Sequence, residues 1–203
     1  MSAPEVKSQS GYVGFDEKAP ADNRGRQDVE YVRIEQGQSA LLRPIGKPWA
    51  YHKHWRPISA ISPGKDRDAC WLAGNEPQRR FAMRCVDRRT GRPAIWCFPE
   101  VVYWKLCSWA MDHKADPGGR DAPDWLVTCG GTSDRTEWKC DPQVVRPYTA
   151  EEKVVLKQWF DATDLAKLFA PDTPERIAML YREAMEKPGG PVPGSTAWQE
   201  ARA

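Results

Sequence analysis

Long hydrophobic runs are missing from this sequence. No stretch of the 203 residues approaches the roughly 18–20 consecutive apolar side chains that a bilayer-crossing helix needs. The first 27 residues also lack the apolar centre of a secretory leader, so no export signal is expected and a cytoplasmic location follows. Cysteine is sparse and scattered. Residues 70, 85, 97, 107, 129 and 140 contain no Cys-x-x-Cys pair, which argues against a disulfide scaffold and for buried thiols in a reducing compartment. Histidine occurs three times. A zinc site built from His52, His54, Cys70 and Cys85 would lack the close ligand pairs of structural zinc, because 15 residues separate His54 from Cys70 and 14 separate Cys70 from Cys85. No metal or cofactor is expected. The phosphate-cradling Gly-x-x-x-x-Gly-Lys loop, the Gly-x-Ser-x-Gly elbow and the His-Glu-x-x-His helix are absent too, and the chain is not read as an enzyme.

Charge, turn formers and aromatic rings are present. The overall charge of +2 hides an uneven distribution. Residues 31–98 hold 13 basic and 5 acidic side chains, a local balance of +8, whereas 1–30, 99–147 and 148–203 each stand at −2. One strongly basic segment beside three mildly acidic ones is the footprint expected of a protein that meets a polyanion, although solvated surface charge gives the same count.

The 18 prolines and 15 glycines divide the chain into short elements. Residues 1–28, rich in Ser, Pro, Gly and charge, read as a flexible arm, and 188–203 as a flexible tail. Between them, strands are predicted over 31–33, 39–45, 49–56, 80–88, 93–98, 125–129 and 136–140. A long polar connection spans 57–78, and Arg89-Thr90-Gly91 reads as a hairpin turn. Pro99 and Glu100 open a helix that carries Val102, Tyr103, Leu106, Cys107 and Ala110 at helical spacing. Thr149 followed by Glu152 is a capping box that starts a helix through residue 160. A further helix begins at Thr173-Pro174 with Ile177, Leu180, Tyr181 and Ala184 on one face. This order predicts a mainly β, α+β chain: a five-stranded OB-type β-barrel over 29–147 with a helix between strands, then a helical extension over 148–187. An unrelated α+β sandwich fits the same string.

Two segments carry candidate binding chemistry. In residues 48–57, PWAYHKHWRP, strand alternation puts Trp49, Tyr51, Lys53 and Trp55 on one face and Ala50, His52, His54 and Arg56 on the other. Rings interleaved with cations suit a single-stranded nucleic acid, since every base offers a π-face and every phosphate a negative charge. The same rings would serve equally as core. In residues 79–92, Arg80, Arg84 and Arg88 share one face with Ala82 and Val86, while Phe81, Met83 and Cys85 share the other. Same-face arginines repel one another unless solvent or an anion separates them. A phosphate backbone or a solvated outer face would each satisfy them.

Several short motifs, taken in order, carry a resemblance. They are Val32-Arg33-Ile34, then Leu42-Arg43-Pro44-Ile45-Gly46-Lys47-Pro48, then Tyr51-His52-Lys53-His54-Trp55. The string Arg80-Phe81-Ala82-Met83-Arg84-Cys85-Val86-Asp87-Arg88 with Gly91 follows, then Phe98-Pro99-Glu100-Val101-Val102-Tyr103, residues 121–128 and 139–142, and Pro147-Tyr148-Thr149-Ala150-Glu151-Glu152. Over 31–170 the chain resembles bacteriophage single-stranded DNA-binding proteins with an OB-fold core. The resemblance implies a protein of the host cytoplasm that coats single-stranded DNA, without sequence preference, during phage replication, recombination or repair. Arg43, Lys47, Lys53, Arg56, Arg80, Arg84 and Arg88 would contact phosphate, and Trp49, Tyr51, Trp55 and Trp96 would stack on bases. Two features depart from that family. The loop over 57–78 keeps only Cys70 where some members hold zinc, and the tail balances Glu200 with Arg202 where many carry an acidic partner-recruiting end. The C-terminal helices are expected to pack on the barrel, self-associate or dock phage replication proteins. A phage structural or adaptor protein that binds protein through the aromatic face, and an RNA-binding module, are the competing readings.

Overall fold

The computed structural model describes residues 29–64, 67–132, 135–144 and 146–186; the expected arm at 1–28 and tail at 188–203 lie outside the described residues. Among these, seven strands form one sheet: β1 (Tyr31–Val32), β2 (Ser39–His54), β3 (Ala60–Ser62), β4 (Gln78–Asp87), β5 (Arg92–Pro99), β6 (Asp124–Thr132) and β7 (Arg135–Gln143). The helices are α1 (Ala69–Leu72), α2 (Glu100–His113), α3 (Ala150–Ala162), α4 (Leu165–Leu168) and α5 (Pro174–Glu186). The strand order is β1-β5-β4-β2-β6-β7, with β3 added to the far end of β2. Every pairing is antiparallel except the short β1–β5 contact.

The seven strand segments expected from the sequence become six of these strands, and β3 is a seventh inside the segment expected as a polar connection. The two short ones, β1 and β3, pad the ends of longer neighbours, and the two strands expected over 39–45 and 49–56 are one. Gly46, at φ 75°, and Pro48 bend β2 and shift its register against β4 between Ile45 and Trp49, but pairing resumes beyond the irregularity. The bend lets one strand serve two parts of a curled, half-barrel sheet. Its first half pairs with both β4 and β6, and its second half with β4 and β3. The curl brings Trp138 of β7 into the same crevice as Tyr31, Ile34 and Trp96.

Alternation builds the inner core. On β4, Phe81, Met83 and Cys85 point inward with Leu42, Trp96, Phe98, Trp125 and Val127. Helix α2, opened by Pro99 with Glu100 in its first turn, lowers Val102 and Leu106 onto this core. Tyr103 stacks on Phe81 at 4.1 Å, nearly parallel, and Trp109 meets Trp125 edge-on at 5.3 Å. The connection over 57–78 is more ordered than its polar composition predicts. It carries β3 and α1, and α5 seals it by packing Ile177, Leu180, Tyr181 and Ala184 against Ile58, Ala60 and Cys70. Among the described residues, no helix is long and apolar enough to cross a membrane.

The bend in β2 is clamped by the loop that follows α2. The Gly46 N–H donates to the Gly118 carbonyl at 2.8 Å, and the Gly118 N–H donates to the Asp116 carboxylate at 2.9 Å. A side chain at Gly118 would collide with the Gly46 carbonyl oxygen and the Met83 methyl. Gly118→Ala is expected to lower stability by about 1–3 kcal/mol, the usual cost of overpacking. Urea denaturation measures the loss, and an unchanged midpoint would refute the close approach.

Candidate nucleic-acid interface

The candidate residues come together on the outer face of β2, β4 and β5. Register sets Arg43 beside Val86, Ile45 beside Arg84 and Ile95, Trp49 beside Ala82 and Cys97, and Tyr51 beside Arg80. Directly paired residues share a face, so the arginines of β4, which alternation puts on one side of their strand, line one surface beside the rings of β2. What sequence reasoning missed is that this surface is covered. The chain from residue 146 onward lies across it.

Arg43 and Arg88 converge on one buried carboxylate. Arg43 Nη1 stands 3.4 Å and Arg88 Nε 3.1 Å from Asp124 Oδ1, with all three side chains at or below 3% exposure. Arg43 Nη2 also donates to the Arg120 carbonyl at 2.8 Å, and Arg88 donates to the Arg146 carbonyl and faces Glu152 at 3.7 Å. The Tyr148 ring lies over both guanidinium groups, 5.7 and 4.5 Å from its centroid, and burial pushes its phenol up to about 12. Arg84, half-buried, donates through Nε and Nη2 to the Thr163 carbonyl and lies 4.1 Å from the Phe160 ring centroid. Desolvation lowers its pKa, opposed by the charge of Asp164.

The aromatic face of β2 is divided. Tyr51 is buried against Phe169 at 4.6 Å, within a cluster of Ala82, Ile95, Cys97 and Leu165. Lys53 is buried with its ammonium 4.1 Å from the Trp55 ring centroid, and Arg80 reaches the same ring at 5.3 Å. Trp55 is half-buried between these two cations. Only Trp49, 41% exposed, presents a large open ring, with Lys47 and Arg56 exposed near it in sequence.

These positions correct part of the expected site. Arg43, Tyr51, Lys53, Arg80 and Arg88 are buried in this conformation and cannot meet phosphate or base: Tyr148 and Phe169 of the C-terminal segment lie against Arg43, Arg88 and Tyr51, and the Trp55 ring lies against Lys53 and Arg80. Trp96, expected to stack on bases, belongs to the core at 1% exposure. Its strand turns it inward opposite Met83, against Phe98 at 4.3 Å. Lys47, Trp49 and Arg56 remain accessible, and Arg84 and Trp55 partly so. Asp124, Tyr148, Phe160 and Thr163 were not singled out from the sequence. The available signal was the aromatic content of an otherwise charged C-terminal region, Tyr148, Trp159, Phe160 and Phe169.

The histidines and cysteines occupy other places. Among the described residues, no three His, Cys, Asp or Glu side chains are grouped to hold a metal ion. All six cysteines are free thiols, and burial pushes Cys70 and Cys97 up to about 12, far from thiolate chemistry at neutral pH. His54 Nε2 lies 2.9 Å from Asp68 Oδ2, which also accepts from Ser62 Oγ at 2.6 Å, while Asp68 Oδ1 caps α1 through the Trp71 N–H at 3.0 Å. Burial opposes ionisation of Asp68. The hydrogen bonds from Ser62, His54 and Trp71 outweigh it and hold the carboxyl below its ordinary value.

Two outcomes follow for stability. A carboxyl with a lowered native pKa stabilises the fold fully above its unfolded value, near about 3.9, and loses that contribution as pH falls through the lower native value. Asp68→Asn is therefore expected to cost about 1.5–3 kcal/mol at pH 7 and progressively less in acid, read from urea midpoints against pH. Asp124→Asn leaves two buried guanidinium groups without their shared carboxylate and is expected to cost about 3–5 kcal/mol. A loss below 1 kcal/mol (roughly that of an exposed pair) would show that water reaches the cluster. No family model, curated protein or solved structure matches this chain, so the site rests on its own residues.

Proposed function

We propose that this protein binds single-stranded DNA without sequence preference, as a bacteriophage-type single-strand binder with a five-stranded OB core. The path β5-β4-β2-β6-β7, with α2 between β5 and β6, supports that reading. On that reading the long, bent β2 is the first strand of the OB core, and β1 and β3 are additions to it. Phosphate contacts on such a barrel need cations that face solvent.

The observation that carries the proposal is the charge left at the surface once the buried arginines are set aside. Of the described residues in 31–98, seven basic side chains are exposed: Arg33, Lys47, Arg56, Arg67, Arg79, Arg89 and Arg92. The exposed acidic ones are Glu35 and Glu76. Burial has removed four cations from the surface and half-covers Arg84, yet still leaves it basic, with the open ring of Trp49 beside Lys47 on β2. The cations would neutralise phosphate and the ring would stack on a base. RNA offers the same π-faces and phosphates. Competition between matched DNA and RNA oligomers separates the two, since an RNA reader uses the 2′-hydroxyl.

A protein-binding role draws on a different feature, the exposed Val101, Trp104 and Met111 along α2. It predicts association that barely responds to salt.

Titration with oligo-dT is expected to quench tryptophan fluorescence, with affinity falling steeply as salt rises. Trp49→Ala should cost about 1–3 kcal/mol of binding if its ring stacks on a base. Lys47→Ala and Arg56→Ala should each weaken binding equally for all sequences and reduce the log–log salt slope by about 0.7. Absence of oligo-dT binding at low salt would overturn the proposal.

A further inference from the structure

The segment covering the outer face meets its arginines in a recurring way. Arg88 has the Tyr148 ring on one side and the Arg146 carbonyl as acceptor, and Arg84 has the Phe160 ring and the Thr163 carbonyl. A ring near the guanidinium, plus an oxygen that accepts its hydrogen bonds, is what a base and its sugar–phosphate backbone offer an arginine. Phe160 also lies where β2 has no side chain: a Cβ placed on Gly46 would come within 3.8 Å of its ring.

The hold on this cover is uneven. Helix α3 has no fully buried residue and leaves Val154 and Val155 half in solvent. Immediately after it, Thr163, Leu165 and Phe169 are buried, and Ile177 of α5 is fully buried in a separate cluster. An element with so little buried surface opens at lower free energy than the elements that anchor it. Residues 163–164 join the loose part to the fixed part.

We propose that α3, with Tyr148 before it, is an internal competitor that occupies part of the nucleic-acid surface, and that single-stranded DNA displaces it while α4 and α5 stay in place. The proposal rests on the single-strand-binding reading and adds how that surface is regulated. On displacement, Arg84 exchanges a neutral carbonyl for a phosphate oxygen, a stronger, charge-assisted acceptor, and the slot over Gly46 passes from Phe160 to a base. The apparent affinity of the closed protein is then reduced by the fraction of molecules in which α3 is open.

Hydrogen–deuterium exchange on the full chain, with and without saturating oligo-dT at low salt, tests this. Faster exchange is expected at α3 amides on binding, with α5 amides unchanged as the internal control. Phe160→Ala removes the ring over Arg84 and is expected to tighten oligo-dT binding about fivefold. If oligo-dT binds while α3 keeps or gains protection and Phe160→Ala binds no more tightly, the competitor role is wrong and the binding reading stands. If neither the wild-type protein nor Phe160→Ala binds oligo-dT, both fall together.

Discussion

A single buried carboxylate joins most of this molecule. Asp124 begins β6, and its side chain receives Arg43 from the first half of β2 and Arg88 from the end of β4. The two arginines in turn hold the approach to α3 through Tyr148, the Arg146 carbonyl and Glu152. Three strands and the C-terminal segment therefore meet on one charge cluster inside the protein. Taking two guanidinium groups out of water is costly, and the cluster is tolerable only because carboxylates, carbonyls and a ring face supply interactions in place of water.

That cluster also changes the meaning of the basic segment. A local balance of +8 reads as a surface for a polyanion, and in part it is one, since seven of its cations remain exposed. Arg43, Arg84 and Arg88 are instead turned toward the C-terminal segment and fasten it. The contacts of Arg43, Arg84 and Arg88 with residues that follow 145 make this part of the outer face a contact within the chain. A face already matched to rings and oxygen acceptors is suited to a ligand carrying the same groups, and this links the fastening of α3 to the proposed binding.

The strand and helix pattern was legible because each element obeys a local rule. Period-two alternation placed Phe81, Met83 and Cys85 on the core side and Arg80, Arg84 and Arg88 on the other. The Thr149–Glu152 capping box forms with both of its hydrogen bonds, at 3.1 and 2.7 Å. The α5 stripe of Ile177, Leu180, Tyr181 and Ala184 packs as its spacing predicts. Where the local rule was ambiguous, the expectation erred. Gly46 and Pro48 look like a strand end yet only bend β2, because pairing with β4 on the far side is a long-range matter. The polar loop over 57–78 forms β3 by pairing back onto β2 and α1 on the Asp68 cap, and partners more than a hundred residues away cover both, the Asp172 carboxylate accepting from the Ile61 N–H and Ile177 packing beside Cys70.

The sequence by itself determined the periodicities, the turns, the caps and the uneven charge, since these depend on neighbours within a few residues. It also determined that Arg80, Arg84 and Arg88 would share one face of their strand and Trp49, Tyr51 and Trp55 one face of theirs, while the pairing of the two strands put both sets on the same side. Only the tertiary structure decided whether that face meets water. Tyr148, Phe160, Thr163 and Phe169 lie between 60 and 120 residues from most of the partners they cover, and no local pattern encodes contacts at such separations. Burial is settled by what the whole chain places on top of a surface, and here the chain placed its own helices on part of the surface and left Lys47, Trp49 and Arg56 open.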